Sequence, residues 1–253
     1  MQNHSITSNL GLYVYGIAAI FLGLLGLVSG DFATTWQNVG PHIPFRAPLA
    51  YLTAVIELVA GIAVLWRRTA RAGALTLTIV YSVFTLIWLP KAFVNLGHYD
   101  PIGNVFEELS LVAAGLVLWA IFSPAGSSIA LRRPFFVLLF GICPISFGIV
   151  HIMDMPGLLN AIPGWLPPGR MFWAYATTMG FFGAAVAILT GIMAPLAARL
   201  LTAEIVIFEF LYWIPHLYRE PNNHFNWAGS AISIAIAGAA WVVSDALSMS
   251  RQH

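Results

Sequence analysis

Charge is the scarcest thing in this chain. Its 253 residues hold 11 Lys or Arg and 10 Asp or Glu, 8% in all, for a net charge of +1, where a soluble domain carries about 25%. So little charge cannot furnish a polar surface, and a soluble globular fold is excluded. No basic patch exists to track phosphates, which excludes nucleic acid as a partner. Cysteine is down to one, Cys143, ruling out an internal disulfide, a CxxC redox pair and a thiolate metal cluster. The HxxxH and HExxH spacings are missing too, so nothing points to a bound metal. Met1 to Asn9 contain neither Lys nor Arg. They make no secretory signal, and the apolar segment after them is long enough to remain as a span.

What the chain has in abundance is apolar sequence, 59% of its residues. It divides into eight stretches, each near the ~20 residues that cross a bilayer. They run roughly Leu10–Ser29, Ala47–Trp66, Ala72–Phe93, Asn104–Phe122, Pro134–Met153, Met171–Ile192, Pro195–Leu217 and Trp227–Asp245. The expected class is an all-α polytopic membrane protein in the cell (inner) membrane. Arg67, Arg68, Arg71, Arg132, Arg133, Arg199 and Arg251 fall on the side of both termini, against Arg46, Lys91, Arg170 and Arg219 on the other. The positive-inside rule then makes both termini cytoplasmic. His42, His98, His151, His216 and His224 lie at or beyond the outer ends of spans, as do Pro41-His-Ile-Pro44 and Pro163-Gly-Trp-Leu-Pro-Pro168. Either a pocket opens outward there, or these residues form an interfacial aromatic belt.

The chain reads as an internal duplication. Trp88 and Pro90 recur as Trp213 and Pro215, while Arg46, Tyr51 and Thr53 recur as Arg170, Tyr175 and Thr177 at nearly the same offset. Residues 1–126 and 127–253 are then two four-helix transmembrane repeats, parallel because each has an even number of spans. Ionisable groups escape the duplication. Glu57 aligns with Phe181, Glu209 with Phe84, Glu204 with Ile79, His151 with Gly26 and His216 with Lys91. Any site is therefore asymmetric.

Acids at bilayer depth are costly and default to functional hypotheses. Glu209, Tyr212, Trp213 and His216 follow i, i+3, i+4, i+7, so an unbroken α-helix puts them on one face. An acid beneath a histidine suits a proton path or an acid/base pair, or else Glu209 simply bonds a neighbouring helix. Glu204 is about 140° away around that helix and is expected at another seam or in the inner headgroup region. Glu57 lies mid-span with Thr53 and Gly61, a small-residue face that packs closely, and Thr78, Ser82 or Thr85 could bond it. His151 and His216 could meet at the outer level, binding a metal or haem or hydrogen-bonding a quinone carbonyl. The missing metal spacings put haem last. Glu107 and Glu108 suit the N-terminus of the fourth span, and Pro144 should kink the fifth. Gly26/Gly30, Gly183/Ala187/Gly191 and Gly229/Ser233/Ala237 read as packing faces.

Several of these pieces carry a likeness. Leu52-Thr-Ala-Val-Ile-Glu57-Leu-Val-Ala-Gly61, Phe147-Gly-Ile-Val-His151, Ile162-Pro-Gly-Trp-Leu-Pro-Pro168 and Phe172-Trp-Ala-Tyr175 together resemble the DoxX-like family of four-span membrane proteins, here as a fused tandem pair. The resemblance implies four-helix units and, for some members, partnership with quinone-linked or redox-defence proteins. The family's glutamate matches Glu57 alone. A fainter likeness to vitamin K epoxide reductase bundles fails for want of a cysteine pair. The leading expectation is binding of a lipophilic small molecule, a quinone for instance, at Glu57, His151, Glu209, Tyr212, Trp213 and His216, in a membrane subunit of a redox system. A proton-coupled permease using Glu57, Glu204 and Glu209, or a scaffold without ligand, are the alternatives. Whether the protein is an enzyme is left open.

Overall fold

In the computed structural model, residues 10–95 and 97–250 are described. Met1 to Asn9 and Arg251, used above for leader and orientation, lie outside them. The described residues are helical throughout, with no strand. The helices are α1 (Leu10–Ser29), α2 (Arg46–Leu65), α3 (Ala70–Val94), α4 (Tyr99–Ile121), α5 (Ser128–Leu131), α6 (Arg133–Gly141), α7 (Cys143–Met153), α8 (Met155–Ala161), α9 (Arg170–Thr190), α10 (Ala194–Phe208), α11 (Ile214–Arg219) and α12 (His224–Ser250). Seven stretches are long and apolar enough to cross a membrane, with α6 and α7 counted as one. This is the architecture of a multi-pass membrane protein. Its outside is greasy in keeping: Ile17, Val59, Leu86, Val186 and Ile207 are all exposed.

Two predicted spans are broken. α6 and α7 part at Ile142 because Pro144, in the first turn of α7, has no N–H to continue the ladder. Between α10 and α11, Glu209–Trp213 form one wide π turn, closed by the Ile214 N–H reaching back to the Glu209 carbonyl. Pro215 follows at once; its missing donor and its ring are relieved by the wider turn. The predicted span Pro195–Leu217 is thus three helical pieces in line, no single one of them as long as the others.

Sequential helices pack as neighbours, α1 on α2, α2 on α3, α3 on α4, α7 on α9, α9 on α10 and α10 on α12. The halves meet along α4 and α12, with α1 against α12 and α6–α7 against α4. Contact between α1 and α12 is backbone to backbone. A Cβ on Gly11 would strike the Val242 backbone and one on Gly238 the Tyr15 backbone.

Residues 30–45, between α1 and α2, are not a surface loop. Phe32, Trp36 and Gln37 are buried. Trp88 Nε1 donates to the carbonyls of Thr35 and Trp36, 3.1 Å each. His224 Nε2 donates to the Phe32 carbonyl at 2.9 Å. The segment thereby wedges between the halves. Arg46 pairs with Asp31 at 2.5 Å and lies over the Phe32 ring.

Some packing expectations need correction. Gly30 lies beyond α1 in a left-handed turn, and Gly191 caps α9 in the same conformation. Gly183 has no neighbour within reach of a Cβ, the packed face of α9 being Ala184, Ala185 and Ile188. By contrast, Gly61 fits against Gly16 and Ile20 of α1, and Gly229 against the Trp213 ring.

Candidate functional site

The π turn decides how the predicted cluster is arranged. It sends Glu209 and Trp213 inward, both buried at 7% exposure. Ser230 Oγ donates to Glu209 Oε1, Ser233 stands by the same carboxylate, and Trp213 covers Gly229; all three residues are on α12. Tyr212 and His216 stack with Phe208, and the Tyr212 ring meets Trp213 edge-on at 4.9 Å. The Tyr212 ring lies 5.0 Å from Phe208 and 4.3 Å from His216, and His216 Nδ1 donates to the Tyr212 carbonyl at 2.6 Å. The single face expected from α-helical spacing is therefore split, because the wide turn holds one more residue than an α turn and so takes about 100° from the rotation between Glu209 and His216.

Glu209 lines a groove of about 370 Å³ between α1, α10–α11 and α12. Val14 and Phe21 form one wall, Ile205, Phe210 and Ile214 another, and Trp227, Ser230 and Ser233 the third. The polar atoms in this lining are few, and Glu209 is its one ionisable residue. Its Oε2 has no hydrogen-bond partner among the described residues.

His151 stands apart from this groove. Its ring packs on Phe181 at 5.0 Å, and its Nδ1 is 3.4 Å from Thr178 Oγ1. The structure thus gives His151 and His216 different surroundings. Glu204 faces α9, against Gly180, on the separate seam that its position around the helix predicts.

Glu57 belongs to the other half of the molecule, at 1% exposure. Its partner is not a hydroxyl of α3: Thr78, Ser82 and Thr85 each donate to the carbonyl one turn back. Gln37 of the wedge supplies the bond, its Nε2 donating to Glu57 Oε1 at 2.6 Å. Next to it, Trp36 Nε1 donates to Glu107 Oε2 at 2.6 Å. The Trp36 ring reaches across the seam to Trp213, 6.1 Å between centroids, and stacks on Phe225. Glu57 and Glu209 are thus separate sites joined by Gln37, Trp36 and Trp213.

Glu107 and Glu108 do not start their helix. α4 begins at Tyr99, with Asp100 and Pro101 in its first turn, so both acids lie two turns in and Glu108 is 1% exposed. Pro101 was the available signal, since proline favours the first turn. Gln37, Ser230 and Ser233 went unremarked as site residues. A glutamine between spans reads as loop, and Ser233 reads as part of a packing face.

No group of three His, Cys, Asp or Glu side chains that could hold a metal ion occurs among the described residues. No family model, curated protein or solved structure matches this chain, and the likeness to DoxX-like proteins rests on its short motifs alone.

Proposed function

We propose that this protein binds a lipophilic small molecule in the groove between α1, α10–α11 and α12, with Glu209 as its polar anchor. The observation that carries this is one buried carboxylate, one oxygen of it unpartnered, in an otherwise apolar cleft. Ligand pockets are built this way, apolar walls with a few placed polar groups, at about 300–1,000 Å³. An isoprenoid quinone drawn from the bilayer fits that chemistry, with a ring carbonyl or hydroxyl at Glu209 and Ser230 and the tail along Val14, Phe21 and Ile234. The protein would then serve as a membrane subunit of a redox system.

In the same reading, Ala194–Arg219 is an eighth span, both termini are cytoplasmic, and residues 1–126 and 127–253 are repeats. The contact pattern supports the repeat. Exchanging the halves turns α1 against α12 into α6–α7 against α4, and both contacts occur. A proton-coupled permease is the second reading, favoured by the buried acids Glu57 and Glu108 and the half-buried Glu204.

Titrating the purified protein with a short-chain quinone tests the first. Saturable tryptophan quenching is expected, much reduced in Trp227→Phe. Glu209→Leu should weaken binding about tenfold, roughly 1.4 kcal/mol. Quenching unchanged in both variants removes the ligand from this groove. Uptake driven by a pH gradient, without quenching, selects the permease. If neither appears and acid substitutions alter stability alone, a scaffold remains.

A further inference from the structure

A second set of ionisable groups lies in the first bundle, outside the groove and sharing no residue with it. Glu57 of α2, Tyr15 of α1, Tyr81 of α3 and Glu108 of α4 are each 1% exposed. They act on one another electrostatically. Glu107 joins them from α4, partly buried, and Asp100 acts on Glu107 from the turns below.

Hydrogen bonding here is incomplete in a particular place. Gln37 satisfies one oxygen of Glu57, Trp36 one oxygen of Glu107, and Tyr15 Oη donates away to the Leu111 carbonyl at 2.8 Å. Both oxygens of Glu108 and the hydroxyl of Tyr81 are left without a partner among the described residues. Buried polar groups are nearly always paired, so two orphans on adjacent helices, facing the same acids, mark where something binds. The charged neighbours acting on Glu108 are Glu57 and Glu107, both acids. Three ionised carboxylates at this depth would each cost several kcal/mol unpaired, so the cluster needs a cation. The carboxyls do not converge as metal ligands do. A proton is the cation that fits.

We propose that Glu57, Glu107 and Glu108, with the Tyr81 hydroxyl, form a buried proton-binding site whose exchangeable proton resides on Glu108. The proton comes from water and returns to it, so no other reactant is consumed. Glu107, less buried and bonded to Trp36, is the way out. Loading Glu108 changes the charge beside Glu57 and Glu107, the acids that Gln37 and Trp36 hold, and Trp36 rests on Trp213 beside the groove. The proton site and the ligand groove are thereby mechanically connected.

Infrared difference spectroscopy of the full chain in lipid nanodiscs, titrated over roughly pH 5 to 9, tests this. A protonated-carboxyl band is expected that shifts in D2O, disappears reversibly as pH rises, and is absent from Glu108→Gln. It should persist in Glu204→Gln and Glu209→Gln. A band that does not titrate, or that survives in Glu108→Gln, overturns the proposal, the first by revealing an inert neutral acid. Should Glu108→Gln not fold, Tyr81→Phe decides. Removing the orphan hydroxyl should move the titration midpoint by about one pH unit, and an unmoved midpoint also overturns it.

Discussion

Gln37 is the residue whose loss should be felt most plainly. It is the one described hydrogen-bond donor to Glu57, and it lies 3% exposed beneath the wedge. Gln37→Leu keeps the bulk and removes the donor, leaving a buried carboxyl unsatisfied at about 1–3 kcal/mol. Thermal unfolding in detergent should show a lowered midpoint, and an unchanged one would mean that water or another side chain takes over the bond. The contrast between Gln37 and its partner shows what a sequence discloses. Glu57 stood out because acids are so rare in apolar runs that each one is conspicuous. Gln37 did not, because a glutamine in an inter-span segment is what any solvated loop contains. Glu108 is visible in the sequence but falls too near the helix start there, because the expected span opens at Asn104 whereas α4 begins at Tyr99.

At the level of elements, the spans were readable because hydrocarbon thickness fixes their length, and the break before Pro144 followed from its missing N–H. The π turn was not readable. Glu209, Tyr212, Trp213 and His216 fit an α-helical face perfectly well, and only the bond from the Ile214 N–H to the Glu209 carbonyl shows that one extra residue has been absorbed. That residue can be removed. Phe210 is 63% exposed, and deleting it should restore α-helical winding with the flanking residues close to their present directions, since the π turn has already absorbed the extra residue. Circular dichroism should stay helical and quinone-dependent quenching should survive, because Glu209 and Trp213 would then stand three apart, still on one face. Quenching lost to background would show that binding needs the wide turn itself. The wedge of residues 30–45 was equally hidden, because Phe32, Trp36 and Gln37 obey no helical or strand period and acquire burial only from elements far away in sequence.

For the whole molecule, the seam is the dominant fact. α1 and α4 of one half pack on α12 and α6–α7 of the other, so the halves should behave as complementary fragments. Cutting the chain within residues 123–127 and co-expressing the pieces should give a complex that copurifies, and Gly238→Leu should abolish it by forcing a side chain into the Tyr15 backbone. Fragments that never associate would count against the seam. The same crossing bears on how the protein is made. Gly11 N donates to Asp245 Oδ2, a bond closing 234 residues of chain. α1 leaves the ribosome before α12, so the face of α1 that carries Gly11 must wait uncovered in the bilayer until α12 has been made. Quality control in the cell therefore has a simple signature to recognise: a nascent or truncated chain exposes that face, and a finished one has sealed it.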